Sequence, residues 1–453
     1  MKCLARWFLG GMACVALAPQ AQAKVAAEKA AELDGPRYNC IGGERAGSAG
    51  GVAEFSGKYG ASWPGVTQQQ GYEAGPYADE KPLFSITAAN VAEHAARLSE
   101  GQKALFAKYP AVFRMDIYPS HRDFKDSADV CERTKKNAVE AVVQEDGRAV
   151  DGTTGAIPFP FPANGLEAIW NVANSIRVYT QTAQCDIADV YGNSSTAWGR
   201  INFKVMTVAN DREKSGSYRD RVNSYFLQGY LLPERDRGFT AVGYQPNDYS
   251  KDATQSWQYL PGVRRVRQAP NVGFDYPVPP AGLRTADDDC VFNGSPERYS
   301  WKLVGKKEMY IPYHNFRIND PAVKYKELLA KGTLNPDYIR YELHRVWVIE
   351  GTLKPGLRHI YAKRTVYADE DSWLASLGDN YDQTGTLTRT PLITYFRSQE
   401  SGTWQRGVSI YHDLTSGAYE AGYLVNESKQ WWRLNTPMSP SMFSPEAAAR
   451  AGH

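Results

Sequence analysis

From about residue 199 the chain alternates apolar and polar positions with the period-two rhythm of strands: Ile201, Phe203 and Val205 interleave with Arg200, Asn202 and Lys204. The clearest stretch is 341–373, YELHRVWVIEGTLKPGLRHIYAKRTVYADEDSW, two strands joined by a Lys354-Pro355-Gly356 turn and ending in an acidic corner. Tyr341, Leu343, Trp347 and Ile349 share one face of the first strand, with Glu342, His344 and Glu350 on the other. One face is therefore expected against an apolar interior and the other in water. Further strands are predicted at 222–232, 239–244, 257–266, 303–311, 341–353, 358–367, 373–381, 387–396, 404–414 and 418–425, interrupted by a short helix at 321–331. About ten long strands, mostly hairpin-connected, imply a strongly curved antiparallel sheet or an open barrel.

The region before the strands has helical periodicity. Val91, Ala95 and Leu98 recur at helical spacing; Ser99 with Gln102 forms a capping box, Leu105 and Phe106 follow, and Pro110 ends the run. Residues 126–143 predict a charged helix carrying Cys131. Asn164 and Glu167 cap a third, whose Leu166, Ile169, Trp170, Ala173 and Ile176 form an apolar stripe suited to packing on a sheet. The fold class is thus α+β, with a helical part at about 83–190 and a sheet at about 199–425. Between the second and third helices, Ile157-Pro158-Phe159-Pro160-Phe161-Pro162 is stiff and extended. It reads either as a buried crossover or as a lid over an apolar opening.

The ends stand apart from this body. Lys2 and Arg6, the apolar run 7–18 and Ala21-Gln22-Ala23 have the form of a cleavable signal peptide, with cleavage expected after Ala23. Cys14 raises a lipoprotein alternative, weakened because Gly11-Met12-Ala13 lacks the expected Leu. Residues 24–82 turn Gly-rich and predict an extended arm on the body. Residues 435–453, rich in Pro, Ser and Ala, predict a loosely held tail. No transmembrane helix is expected after the signal.

Charge narrows the partners. The chain has 52 basic and 50 acidic residues, and Lys2 and Arg6 lie in the segment to be removed, so the mature charges balance. No nucleic-acid footprint follows, and the one compact basic run, Arg264-Arg265-Val266-Arg267, reads as a solvated strand face. Cys40, Cys131, Cys185 and Cys290 remain, matching no CxxC motif; in an exported chain they are disulfide candidates with three possible connectivities.

Catalytic signatures are missing: no GxSxG, HExxH, SxxK, GxGxxG or P-loop run, and no His pair at metal-ligand spacing. Asp369-Glu370-Asp371 offers two readings, a hard-cation site or a hairpin corner whose carboxylates cap backbone amides; the corner is preferred, since the Gly and spaced oxygens of a calcium loop are missing. No catalytic residue, metal or cofactor is assigned.

Six runs carry a resemblance: GERAGSAGG (43–51), KPLFSITAANVAEHAARLSEGQKALFAKYP (81–110), GAIPFPFPANGLEAIWN (155–171), WQYLPGVRRVRQAP (257–270), FNGSPERYSWKLVGKKEMYIPYHN (292–315) and the opening stretch. Together they resemble a large periplasmic family of unknown function in Gram-negative bacteria, described as like the outer-membrane lipoprotein-sorting carriers LolA and LolB. The resemblance implies an incomplete β-barrel whose concave apolar face is closed by helices and takes up acyl chains. It also implies exchange of a hydrophobic molecule with an RND-type inner-membrane permease and an outer-membrane protein. The Gly-rich arm and extra helices have no counterpart in those smaller carriers.

The leading expectation is a periplasmic carrier of a lipid or other hydrophobic molecule. Ile157, Phe159 and Phe161 are candidate lid residues, and Trp170, Phe203, Trp257, Tyr259 and Trp347 candidate lining. A periplasmic hydrolase of a hydrophobic ester or glycan, and a structural adaptor of a trans-envelope complex, are the alternatives.

Overall fold

The computed structural model describes residues 25–58, 63, 72–144, 147–211, 222–269 and 273–452. The signal segment and the arm glycines Gly60, Gly65 and Gly71 lie outside the described residues. The strands are β1 (Phe84–Ile86), β2 (Met115–Tyr118), β3 (Val142–Gln144), β4 (Ala149–Asp151), β5 (Thr180–Val190), β6 (Thr196–Thr207), β7 (Val222–Leu232), β8 (Thr240–Pro246) and β9 (Gln255–Leu260). They continue with β10 (Arg265–Gln268), β11 (Tyr299–Pro312), β12 (Arg340–Leu353), β13 (Lys363–Asp369), β14 (Ala375–Tyr381), β15 (Leu387–Ser398), β16 (Thr403–Asp413), β17 (Tyr419–Leu424) and β18 (Arg433–Leu434).

All but β3 and β4 belong to one large curved sheet that does not close into a barrel. From β12 the order is β13, β14, β15, β16, β17, β5, β6, β7, β8, β9, β10, while β11 pairs with β12 along its other edge. The pairing is antiparallel except where β2 meets β12, Arg340 opposite Asp116. At the far edge, β10 leaves Arg265 and Arg267 exposed, which discourages edge-to-edge pairing with another chain.

Two strand expectations need correction. β5 lies mid-sheet between β17 and β6, although residues up to 190 were expected in the helical part. Its run from Cys185 to Val190 is buried on both faces and includes Asp186 and Asp189, so no polar alternation marks it. On β12 the polar face is not in water: Glu342 and His344 are each 0% exposed. The His121 amide, His314 and Arg340 bond Glu342, and the Tyr313 ring stacks on His344, replacing water with buried partners.

The helices pack on this sheet. α1 (Ala27–Ala31) opens the arm, α2 (Val91–His94) is brief, and α3 (Glu100–Lys108) begins with the Ser99–Gln102 capping box. The N-terminus of α3 rests on Asp379 of β14, which accepts from the amides of Glu100 (3.2 Å) and Gly101 (2.8 Å). α4 (Ala128–Glu140) carries Cys131, and α5 (Gly165–Ala173), capped by Asn164, lies against β11 and β12. α6 (Tyr325–Leu328) is the short helix within the strand region. The tail is folded: α7 (Pro445–Ala451) buries Ala448, and Phe443 before it is also buried, both in a cluster with Leu227, Val242 and Tyr259 of β7 to β9. No described helix is long and apolar enough to cross a membrane.

Candidate functional site

An aromatic pocket forms where the arm meets the sheet. Its wall takes Phe316 from just before a short 3-10 turn, Phe396 from β15, Trp431 and Trp432 from the chain after β17, and Leu434 from β18; Tyr72 and Glu73 of the arm roof it. The rings contact in series: Phe316 to Phe396 at 5.2 Å, Phe396 to Trp432 at 5.7 Å, and Trp431 to Trp432 at 5.5 Å between centroids. The cavity volume is about 20 Å³, room for one water.

The roof is held by a buried carboxylate. Glu73 accepts from Ser398 Oγ (2.6 Å), the Gln399 amide (2.8 Å) and Trp63 Nε1 (3.1 Å). Gly75, at φ +81°, lies so close on the Phe316 ring that a Cβ there would be 2.4 Å from Cδ2. Burial pushes the Tyr72 phenol up to about 12, so it remains a neutral donor at the rim. Burial, then the charge of Glu73, raises Glu400 beside it. Trp432 Nε1 is buried without a partner among the described residues.

The sequence-derived candidates are distributed over several clusters. Phe203 is the one that shares the pocket's cluster, with Phe316, Phe396 and Trp432, and makes an edge contact with Tyr423. Phe159 and Trp170 pack together in another cluster, while Trp257 and Tyr259 lie against α7 in a third. Ile157 is in the main core, and Trp347 is half-buried and stacked on Trp373 at 5.5 Å. Phe161 meets Tyr38 edge to face at 5.0 Å. The segment 157–162 is a clamped crossover: the Phe159 amide donates to Asn171 Oδ1 (2.9 Å), and Asn171 Nδ2 donates back to the Phe159 carbonyl (2.7 Å).

The pocket's own lining escaped sequence reasoning because Tyr72, Phe316, Phe396 and Trp431 are far apart in the chain and mostly outside regular alternation. The Trp431-Trp432 doublet in a polar, strand-poor stretch was the available signal.

Of the cysteines, Cys40 and Cys131 form a disulfide that ties the arm to α4. Cys185 and Cys290 are free and buried, correcting the expectation that they pair. Cys290 Sγ instead accepts from Arg177 Nη1 (3.2 Å) and Arg406 Nη1 (3.1 Å), and Cys185 is enclosed in the aromatic cluster, where burial pushes its thiol up.

The acidic corner also differs from its expected form. Its carboxylates chiefly bind cations: fully buried Arg122 donates to Asp371 through Nε (2.6 Å) and Nη2 (2.8 Å), and through Nη2 to Glu370 (3.1 Å). Lys306 and Arg345 complete the shell of Glu370. Arg122 also reaches the carbonyls of Glu44 and Ala53, so the same guanidinium pins the arm.

Comparison with known proteins places the chain. It is 38% identical over 451 residues to an uncharacterised protein of Pseudomonas aeruginosa, covering 98% of this chain and 97% of that one. Among solved structures it is similar to a DUF1329 family protein of Desulfovibrio piger, at 13% identity and a TM-score of 0.43, over 63% of this chain and 97% of that one. It is also similar to a LolA superfamily protein of Nitrosomonas europaea, at 10% identity and a TM-score of 0.37, over 63% of this chain and 100% of that one. The family model described as a protein of unknown function (DUF1329) matches residues 85–449, and with the Pseudomonas relative this match makes the chain a member of the DUF1329 family.

Proposed function

We propose that this protein is a carrier that takes up a lipid or other hydrophobic molecule under its arm, without covalent chemistry. The observation that carries the reading is the aromatic pocket itself, walled by the sheet and roofed by a separate segment latched through Glu73. Lifting the roof exposes Phe316, Phe396, Trp431 and Trp432, with Phe203 behind them. Burial of acyl chain yields about 0.8 kcal/mol per CH2, so ten groups give roughly 8 kcal/mol gross, enough to offset release of a latch.

The periplasm is the proposed location, supported by the signal-like N-terminus and by the Cys40–Cys131 disulfide, which persists in an oxidising compartment. Exchange of the ligand with an RND-type permease and an outer-membrane protein completes the proposal.

The test is native mass spectrometry with solvent extraction on mature protein purified gently from its own host. A co-purifying hydrophobic molecule at near-stoichiometric amount, displaced by a fluorescent fatty acid, supports the carrier. Protein that is clean and takes up no probe overturns it. In that case the filled main core favours the adaptor, and turnover of a model ester or glycan would favour the hydrolase.

A further inference from the structure

β12 and β13 bring an unusual set of donors to one face. Asp369 sits opposite Val346, so His344 is its diagonal neighbour on the same side of the sheet. The tight corner after β13, where the Trp373 amide donates to the Asp369 carbonyl (2.9 Å), folds Asp371 back over them. One ring nitrogen of His344 and one carboxylate oxygen each of Asp369 and Asp371 lie within 4.8 Å of one another, with all three residues buried.

The hydrogen bonds show which atoms are committed. His344 Nε2 pairs with Glu342 Oε2 at 3.2 Å. Both Glu342 oxygens already accept, from the His121 amide (2.9 Å) and from Arg340 Nε (2.6 Å), so Glu342 is the acceptor and Nε2 carries the proton. The lone pair then falls on Nδ1, which has no partner among the described residues. Asp369 Oδ2 accepts from Ser372 Oγ (2.6 Å) and the Tyr313 hydroxyl (3.3 Å), while Oδ1 has no partner among the described residues. Asp371 Oδ1 accepts from Asn39 and Arg122, whereas among the described residues Oδ2 accepts only from Arg122 and keeps a lone pair. Tyr313 stacks on the His344 ring at 3.7 Å and fixes its plane.

Buried acceptors gathered in this way need a shared proton or a cation. We propose that His344 Nδ1, Asp369 Oδ1 and Asp371 Oδ2 bind a divalent transition metal of the Zn2+ class, oriented through Glu342, which fastens the arm to the sheet. A histidine that donates its second nitrogen to a carboxylate is the usual outer shell of a metal ligand. One imidazole with two carboxylates suits Zn2+ better than Ca2+, which takes six to eight oxygens. Arm attachment follows from contact: Asn39 Nδ2 donates to Asp371 (2.8 Å), Trp373 Nε1 donates to the Ile41 carbonyl (3.2 Å), and a Cβ on Gly43 would lie 2.6 Å from Asp371 Oδ1.

The site is sealed, so the test loads metal during folding. Untagged mature protein is unfolded in EDTA, refolded with Zn2+ or with EDTA, gel-filtered and assayed for metal and thermal midpoint. About one Zn2+ per chain and a raised midpoint are expected. Asp369→Asn should lose retention, and Glu342→Gln should weaken binding about 10–100-fold. Wild-type protein that retains no Zn2+ overturns the proposal and leaves a proton on Asp369 as the partner of His344. Retention unchanged in both variants overturns it by placing the metal elsewhere. If the variants do not fold, pulsed EPR of Co2+-loaded wild type decides: coupling to an imidazole nitrogen supports the site, and its absence overturns it.

Discussion

Removing the Glu73 latch should open the aromatic pocket without unfolding the sheet. Glu73→Ala deletes three accepted hydrogen bonds, from Ser398, Gln399 and Trp63. A bond to a charged acceptor contributes about 1.5–3 kcal/mol net. The three share one carboxylate and do not add, so the loss is taken as about 3 kcal/mol, or roughly 100-fold in the opening equilibrium of the roof. The effect is local because the arm stays anchored upstream by the disulfide and by Arg122. Hydrogen exchange read at residues 72–77 should lose protection by about two orders of magnitude, with β12 and β15 unchanged. Uptake of a fluorescent fatty acid should speed up in parallel. Unchanged exchange at 72–77 would refute the latch, and faster exchange without faster uptake would refute the pocket as the entry point.

Other perturbations address the rest of the scaffold. Arg122→Ala leaves the buried Asp371 and Glu370 carboxylates under-compensated, and urea unfolding should register a loss of about 3–5 kcal/mol; under 1 kcal/mol would contradict the ion-pair account. The Cys40→Ser/Cys131→Ser pair opens a cross-link between residues 91 apart and should cost about 2–4 kcal/mol in the same assay, with faster proteolysis of the arm. Burial lowers His412 from 6.5 to about 4, so the native state resists a proton that the unfolded chain accepts. Its contribution is present above pH 6.5 and is lost as pH falls towards 4, by at most about 3 kcal/mol. Asp379, raised to about 6 by burial, offsets part of this slope, since its protonation favours the native state. His412→Gln should flatten the acid limb of a stability–pH curve, and an unchanged slope would assign it to other groups.

Features encoded by neighbours in sequence were legible from the chain alone. The capping box at Ser99, the Asn164 cap, the apolar stripe of α5 and the long hairpins of 341–425 all depend on periods of two or 3.6 and on side chains reaching their own backbone. Family membership was legible too, because its runs are contiguous. Features that need distant partners waited for the tertiary structure. Glu342 and His344 look like a wet strand face until His121, His314 and Tyr313 cover them. β5 hides as a strand because burial on both faces removes its alternation. Cys40 finds Cys131 while Cys185 and Cys290 stay single, a choice that spacing does not encode. The aromatic pocket draws on positions 72, 316, 396 and 431, which no local pattern relates. Only the closing of those long loops brings the rings together, and with them the carboxylate that holds the roof.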